Sequence, residues 1–176
     1  MHGQFDNLTA QSINYQFAQC TTPANYFHLL RRQMHRNFRK PLVIAAPKIG
    51  LKHPKAVSDI SEFGPNTGFK KTLSKDIGDI TNPQTLILCS GKVAFDLEAN
   101  LEKMDLEHGV RILRLEEIAP FPVGDVRQNI ELFAYNPNSK VVWVQEESLK
   151  HSNNPLGKFK KVLFKANFKM LAIVMI

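Results

Sequence analysis

The sequence has little of what most specialised folds and sites require. Its 176 residues include two cysteines, Cys20 and Cys89, far apart and without paired spacing. That argues against a disulfide framework or a zinc site and fits ordinary thiols in a reducing compartment. No apolar run approaches the ~18 residues of a membrane span; the longest is Met170–Ile176. The Ser90-Gly91-Lys92 turn lacks the glycines of a P-loop and those of a dinucleotide fingerprint. His53, His108 and His151 are isolated, and no histidine pair sits at metal-ligand spacing. No nucleophile–base–acid set can be assembled from the chain. Met1–Ala10 lacks the apolar core of a signal peptide, with Asp6 breaking the pattern, and is not rich in Arg and Ser as a transit peptide is. The residues alone therefore predict no targeting signal and no catalytic centre in this chain.

What is present suits a folded α/β protein. Hydrophobic residues make up 43% and charged residues 22%, a composition that can bury a core. The length fits one domain, or one small domain plus part of another. The net charge is +7, but Lys158, Lys160, Lys161, Lys165 and Lys169 lie in a final stretch with no acid. Five of the seven excess charges sit there and the rest is nearly balanced, which argues against a nucleic-acid partner. A basic amphipathic tail can bind an anionic membrane surface, yet Phe159, Val162, Phe164 and Phe168 make no clean stripe opposite the lysines. We therefore expect neither nucleic acid nor membrane as partner.

Periodicity and punctuation place the elements. Thr22 is a good N-cap and Pro23 suits the first helical position, so a helix is expected from Pro23 to Phe38. Phe27, Leu30, Met34 and Phe38 recur at helical spacing and predict its core face. Pro41 ends it. Leu42–Ala46 is short, apolar and branched, as in a strand buried on both faces. Residues 61–84, punctuated by Gly64, Pro65, Gly68, Gly78 and Pro83, read as a linker. Beyond it come a strand at Thr85–Cys89, a helix at Lys92–Glu107 and a strand at Val110–Leu115. A stiff loop at Ile118–Pro122, a helix at Asp125–Phe133, a turn at Asn136–Asn138 and a strand at Lys140–Gln145 follow. The helices should turn Val93, Leu97, Leu101 and Met104, and Val126, Ile130 and Phe133, inward. Strand-helix-strand-helix-strand with short loops predicts an α/β fold with a mainly parallel sheet and flanking helices. The Lys158–Ile176 tail breaks this style and is compatible with an amphipathic helix.

Three features carry possible chemistry. His28, Arg31, Arg32, His35, Arg36 and Arg39, followed by Lys40, concentrate positive charge within about three helical turns. Such a face binds a phosphate or carboxylate, or is simply solvated or salt-bridged. Lys92 follows a strand-to-helix turn where a helix N-terminus favours anions; a tight turn explains Gly91 equally well. Gln145, Glu146 and Glu147 end a parallel strand, where ligands and partners gather. Adjacent carboxylates on a strand point to opposite faces, so an interface contact and a cap suit them better than acid–base catalysis.

Several strings, in order, resemble one family. TTPANYFHLLRRQ, FRKPLVIAAPK, HPKAVSDISEF, LILCSGKVAFDL, RILRLEEIAPFP and VVWVQEES are similar to segments of the decarboxylating component of 2-oxoglutarate dehydrogenase. They resemble its 2-oxoadipate dehydrogenase relative at least as closely, and they cover Gln16 to Ser148. The resemblance implies a parent enzyme in which thiamine diphosphate, held by magnesium, decarboxylates a dicarboxylic 2-oxoacid. The acyl group then passes to a lipoyl-bearing acyltransferase component, in the tricarboxylic acid cycle or lysine degradation. It implies a homodimer, in the mitochondrial matrix of a eukaryote or the cytoplasm of a bacterium.

For this chain the resemblance implies four parts. Residues 1–60 are a remnant of the pyrimidine-binding domain, with its last helix and strand. Residues 61–84 are the linker, and 85–157 an incomplete transketolase-type C-terminal domain. Residues 158–176 are a divergent tail, the departure beginning after Ser148. The chain then supplies scaffold and dimer packing, binds no thiamine diphosphate or magnesium itself, is inactive in isolation, and needs the missing N-terminal domains as partners. A competing reading makes it a non-catalytic module whose basic helix at residues 28–40 binds an anionic effector.

Overall fold

A computed structural model describes residues 12–46, 48, 52–79, 81, 83–104, 106, 108–134, 138–145 and 172–175. Two sheets are built in alternation with helices. Strand β1 (Gln16–Ala18), helix α1 (Pro23–His35) and strand β2 (Leu42–Ile44) form a parallel crossover unit. Strands β3 (Thr72–Ile77), β4 (Pro83–Cys89), β5 (Gly109–Leu115), β7 (Lys140–Gln145) and β8 (Ala172–Met175) form a five-stranded sheet of order β3-β5-β4-β7-β8. Helices α2 (Val93–Leu101) and α3 (Val123–Ala134) connect its parallel strands. Strand β6 (Glu117–Ala119) leaves β5 and pairs antiparallel with β1, so the small sheet has the order β2-β1-β6. The protein is thus α/β with mixed sheets.

The core follows from β4. It lies between β5 and β7, parallel to both, and its alternate residues serve two layers, as a strand covered on both faces must. Leu86 and Leu88 join Leu113, Leu115, Val141 and Trp143 against Val126, Ile130 and Phe133 of α3. Ile87 and Cys89 join Val110, Ile112 and Val144 against Val93 and Ala94 of α2. The inward face expected of α3 is the observed one. Helix α2 stops at Leu101, short of the expected Glu107, which leaves Met104 exposed.

Four expectations need correction. First, α1 ends at His35 rather than Phe38, and its presumed core stripe faces outward: Phe27, Leu30 and Met34 are 43%, 42% and 76% exposed. Ala24, Asn25, His28 and Leu29 are buried instead. The reason is that the surface beneath the helix is polar, so hydrogen-bonding side chains go inward with Ala24 and Leu29. Second, β2 is an edge strand with Val43 exposed, not a strand buried on both faces. Third, the expected linker contains β3, which pairs with β5 along its whole length from Thr72↔Leu115 to Ile77↔Val110. Asp76 there receives Arg111 through a two-pronged bond, Nε at 2.6 Å and Nη2 at 2.9 Å. A short charged strand is typical of a sheet edge and has no periodicity that marks it in sequence. Fourth, the stiff loop at Ile118–Pro122 begins as β6. Of the Asn136–Asn138 turn only Asn138 is described, and most of the Lys158–Ile176 tail lies outside the described residues; its Ala172–Met175 pair in parallel with β7 as β8 instead of continuing a helix.

Candidate functional site

Where the two sheets meet, Glu116 links β5 to β6 and Glu117 opens β6, and both residues are 0% exposed. Charge buried so completely must be hydrogen-bonded or paired. Glu116 accepts from the Thr21 backbone N–H at 2.9 Å, from the Thr21 hydroxyl, and from Asn25 Nδ2 at 2.9 Å. Burial still pushes the Glu116 carboxyl above the usual carboxylate range, against those hydrogen bonds and the nearby Arg114 charge. Glu117 accepts from Arg32, whose guanidinium also lies 4.1 Å from the centre of the Phe69 ring.

Asn25 extends the junction to the former linker. Its Oδ1 accepts from Lys70 N at 2.8 Å and its Nδ2 donates to Lys70 O at 2.9 Å. Lys71 O in turn accepts from Glu116 N and Glu117 N. The amide of Gln19 donates to Glu116 O at 2.8 Å. One turn of chain therefore binds α1, β1, the segment before β3 and the end of β5 into a single body.

Beside this junction lies a cavity of about 630 Å³, within the size range of small-molecule sites. Tyr26, Phe27 and Leu30 of α1 wall it on one side, and His53, Lys92 and Phe95 on the other. The His53 and Phe95 rings stack with centroids 4.4 Å apart. Gly91, at φ 68°, turns β4 into α2 there, and a Cβ at that position would lie 2.2 Å from Gln19 Nε2. Cys20 also faces the cavity, but burial, reinforced by the Glu116 charge, pushes its thiol up to about 12. Burial does the same to Cys89.

The structure scatters the basic cluster rather than gathering it. His28 is buried and its Nε2 lies 2.8 Å from Glu62 O and 2.9 Å from Thr67 Oγ1. Arg32 points into the sheet junction. Arg31 donates to Thr67 O at 3.3 Å, Lys40 to Ile13 O at 2.8 Å, and Arg39 to Arg36 O at 2.8 Å. Helix termini and carbonyls thus take most of these donors. Lys92 pairs with Asp96 at 3.3 Å at the cavity rim. Gln145 is buried and its Oε1 accepts from Trp143 Nε1 at 2.8 Å, which is a structural contact inside the sheet. Glu146 and Glu147 lie outside the described residues. Of the residues that do come together, Arg32 alone was singled out by sequence; Thr21, Asn25, Glu116 and Glu117 were not. Their only local signal was a pair of acids directly after a buried strand.

Chemically, the junction holds rather than reacts. The oxygens of Glu116 are engaged by three donors, and the thiols are far from ionising at neutral pH. Among the described residues no group of three or more His, Cys, Asp or Glu is placed to hold a metal ion.

Comparison with known proteins gives this arrangement a setting. A family profile described as 2-oxoglutarate dehydrogenase C-terminal matches residues 57–164. The matched span runs past Ser148. The chain is 46% identical over 145 residues to a probable 2-oxoadipate dehydrogenase complex component E1 homolog of Dictyostelium discoideum, covering 81% of this chain and 16% of that protein. It is 43% identical over 143 residues to the 2-oxoadipate dehydrogenase complex component E1 of Mus musculus, covering 81% and 15%. It is 36% identical over 148 residues to the mitochondrial 2-oxoglutarate dehydrogenase of Caenorhabditis briggsae, covering 82% and 14%. The chain spans about a sixth of the length of the curated relatives it matches.

Proposed function

Since the chain belongs to the 2-oxoglutarate dehydrogenase family, we propose that it is the C-terminal scaffold of an E1 component that decarboxylates a dicarboxylic 2-oxoacid, 2-oxoglutarate or 2-oxoadipate, with thiamine diphosphate and magnesium. The observation that carries this reading is a match spanning most of this chain and only about a sixth of its relatives. In this reading residues up to about 60 end a pyrimidine-binding domain and the five-stranded sheet is a transketolase-type C-terminal domain. Homodimer packing and delivery to a lipoyl-bearing acyltransferase belong to the assembled enzyme. Relatives named mitochondrial support a matrix location for a eukaryotic parent.

The residues described here do not fit the cofactor. A magnesium–diphosphate site needs oxygen ligands with lone pairs facing a cavity. At the junction both Glu116 oxygens turn to Thr21 and Asn25, and Oε1 of Glu117 turns to Arg32, instead. In this reading the chain carries no catalytic step of its own. Its contribution is geometric: Glu116 and Glu117 fix α1 against the large sheet, and preorganisation of that kind is what a scaffold gives a distant reacting centre. The test is carbon dioxide release from 2-oxoglutarate and 2-oxoadipate with thiamine diphosphate and magnesium added. The purified 176-residue chain should give none. Turnover by the chain alone would overturn the reading.

A further inference from the structure

Five ionisable groups lie in a row across the sheet junction, from α2 to α1. Glu98 of α2 faces Arg114 of β5 at 3.8 Å. Glu116 follows Arg114 by two residues, and Glu117 receives Arg32 of α1. With all five ionised, three carboxylates would face two guanidiniums. Arginine keeps its charge in proteins, so the missing positive charge must be made up among the acids. Their partners decide which one. Glu117 has Arg32 and Glu98 has Arg114. Among the described residues Glu116 forms no ion pair, and its carboxyl is bonded to three neutral groups.

The other titratable groups around Glu116 supply no charge. Lys70 and Lys71 meet the junction through their backbone groups. His28 of α1 turns its Nε2 to Glu62 O and Thr67 Oγ1. The thiols of Cys20 and Cys89 stay neutral, since burial pushes both up to about 12. Arg114 attracts Glu116 only from beyond ion-pair distance, and its charge is shared with Glu98. A carboxyl sealed from water without a cation is favoured in its neutral form.

The bonding pattern is that of a neutral acid. Oε2 meets two groups that can only donate, the Thr21 N–H and Asn25 Nδ2, each at 2.9 Å. Oε1 meets one hydroxyl, Thr21 Oγ1 at 2.5 Å, which can donate or accept. A carbonyl oxygen accepts two bonds and an acid O–H gives one, so a proton on Oε1 preserves all three contacts without moving a heavy atom. We propose that Glu116 keeps its proton at neutral pH and that this proton is a switch on the sheet junction. While it is present, Glu116 ties Thr21 and Asn25, and with them the start of α1, to the end of β5. When it passes to solvent, a second carboxylate stands beside that of Glu117 with no cation of its own. Water then enters from the adjoining cavity, which Thr21 lines, and the first turn of α1 loosens from the large sheet. The inference rests on the junction alone and is independent of the functional reading above.

Carbon-detected NMR of the full 176-residue chain follows the glutamate carboxyl carbons against pH. At neutral pH one of them should keep the chemical shift of a neutral acid, and Glu116→Gln should remove that signal and leave the others in place. Amide hydrogen exchange, corrected for its intrinsic pH dependence, reads the switch. Protection of the Thr21 and Lys70 N–H groups should fall at least tenfold as that carboxyl ionises in the wild type. Over the same range it should stay level in Glu116→Gln, while β5, paired on both edges, keeps its protection in both proteins. Wild-type protein with every glutamate ionised at neutral pH overturns the proposal, and that measurement requires no variant to fold. A neutral carboxyl that survives Glu116→Gln puts the proton on another acid and overturns the assignment. Ionisation of Glu116 with unchanged protection at Thr21 and Lys70 overturns the switch.

Discussion

Replacing Arg32 by methionine should unfold this protein more readily than any other single surface-reaching substitution on α1. The Glu117 side chain is 1% exposed and that of Arg32 20%, so removal of the guanidinium leaves a carboxylate sealed from water. Breaking a buried pair from one side costs about 3–5 kcal/mol. The partial access of water at Arg32 argues for the lower part of that range, and loss of the contact with Phe69 adds about 0.5–1 kcal/mol. We expect about 3.5–4 kcal/mol for Arg32→Met. Glu117→Leu should cost less, about 1–2 kcal/mol, because the orphaned guanidinium can turn toward solvent. The double variant should return to within about 1 kcal/mol of wild type, since an apolar pair of similar volume replaces a desolvated ionic one. The cycle then gives a coupling of about 5 kcal/mol. Urea unfolding followed by Trp143 fluorescence reads it; Trp143 is the single tryptophan of the chain and is 1% exposed. Far-UV circular dichroism checks that the two probes coincide. Additive single effects, within about 0.5 kcal/mol, would mean that the pair is solvent-screened and the buried-clamp argument is wrong.

Gly91→Ala should destabilise by about 1–2 kcal/mol from its positive φ alone, with more from the collision with Gln19. Gln19→Ala in the same chain should recover the second part and not the first, as read by the urea midpoint. Glu116 has its folded-state value raised by burial. Its contribution to stability is therefore fully present below the unfolded glutamate value, about 4.3, and is lost as pH rises through the raised one. Glu116→Gln should flatten stability against pH across that window, and parallel wild-type and variant curves would contradict the assignment. Cys20 and Cys89, at about 12, should carry at least a thousandfold fewer thiolates than a free cysteine of pKa about 8.5. Iodoacetamide at neutral pH should label both slowly in the native protein and quickly in urea; rapid native labelling would refute their burial.

The large sheet was readable because its signals are local. Thr85–Cys89, Val110–Leu115 and Lys140–Gln145 are apolar runs that each serve two core layers, and α3 shows Val126, Ile130 and Phe133 at helical spacing. The observed strands differ from those expected by a residue or two. Helix α1 was found but turned the wrong way. Its more apolar stripe was assumed to be the inner one, while the surface that receives it is lined by Glu116 and Glu117, 91 and 85 positions away along the chain from Asn25 and Arg32. No window of local sequence contains that information. Strand β3 escaped for a related reason: Thr72-Leu73-Ser74-Lys75-Asp76-Ile77 gains its structure from pairing with β5, not from its own pattern. The junction residues were invisible one by one, because a threonine at a helix start, an asparagine in a first turn and two acids after a strand are each ordinary.

The junction also changes what the segment before β3 is. Read as a linker, it would let the β1–α1–β2 unit drift relative to the large sheet. Yet Lys70 is held through both backbone polar groups by Asn25, and Lys71 accepts from both acids of the junction. Each of these bonds is buried or half-buried, where breaking one leaves a polar group without a partner at a cost of about 1–3 kcal/mol. Independent motion of the two sheets would break several together, a cost comparable to the whole stability of a typical domain, about 5–15 kcal/mol. The unit is therefore not a loose appendage. A load on β1 and β2 is mechanically connected, through α1 and the two glutamates, to the sheet that carries Trp143 and to α3, whose Phe133 packs in the same core cluster.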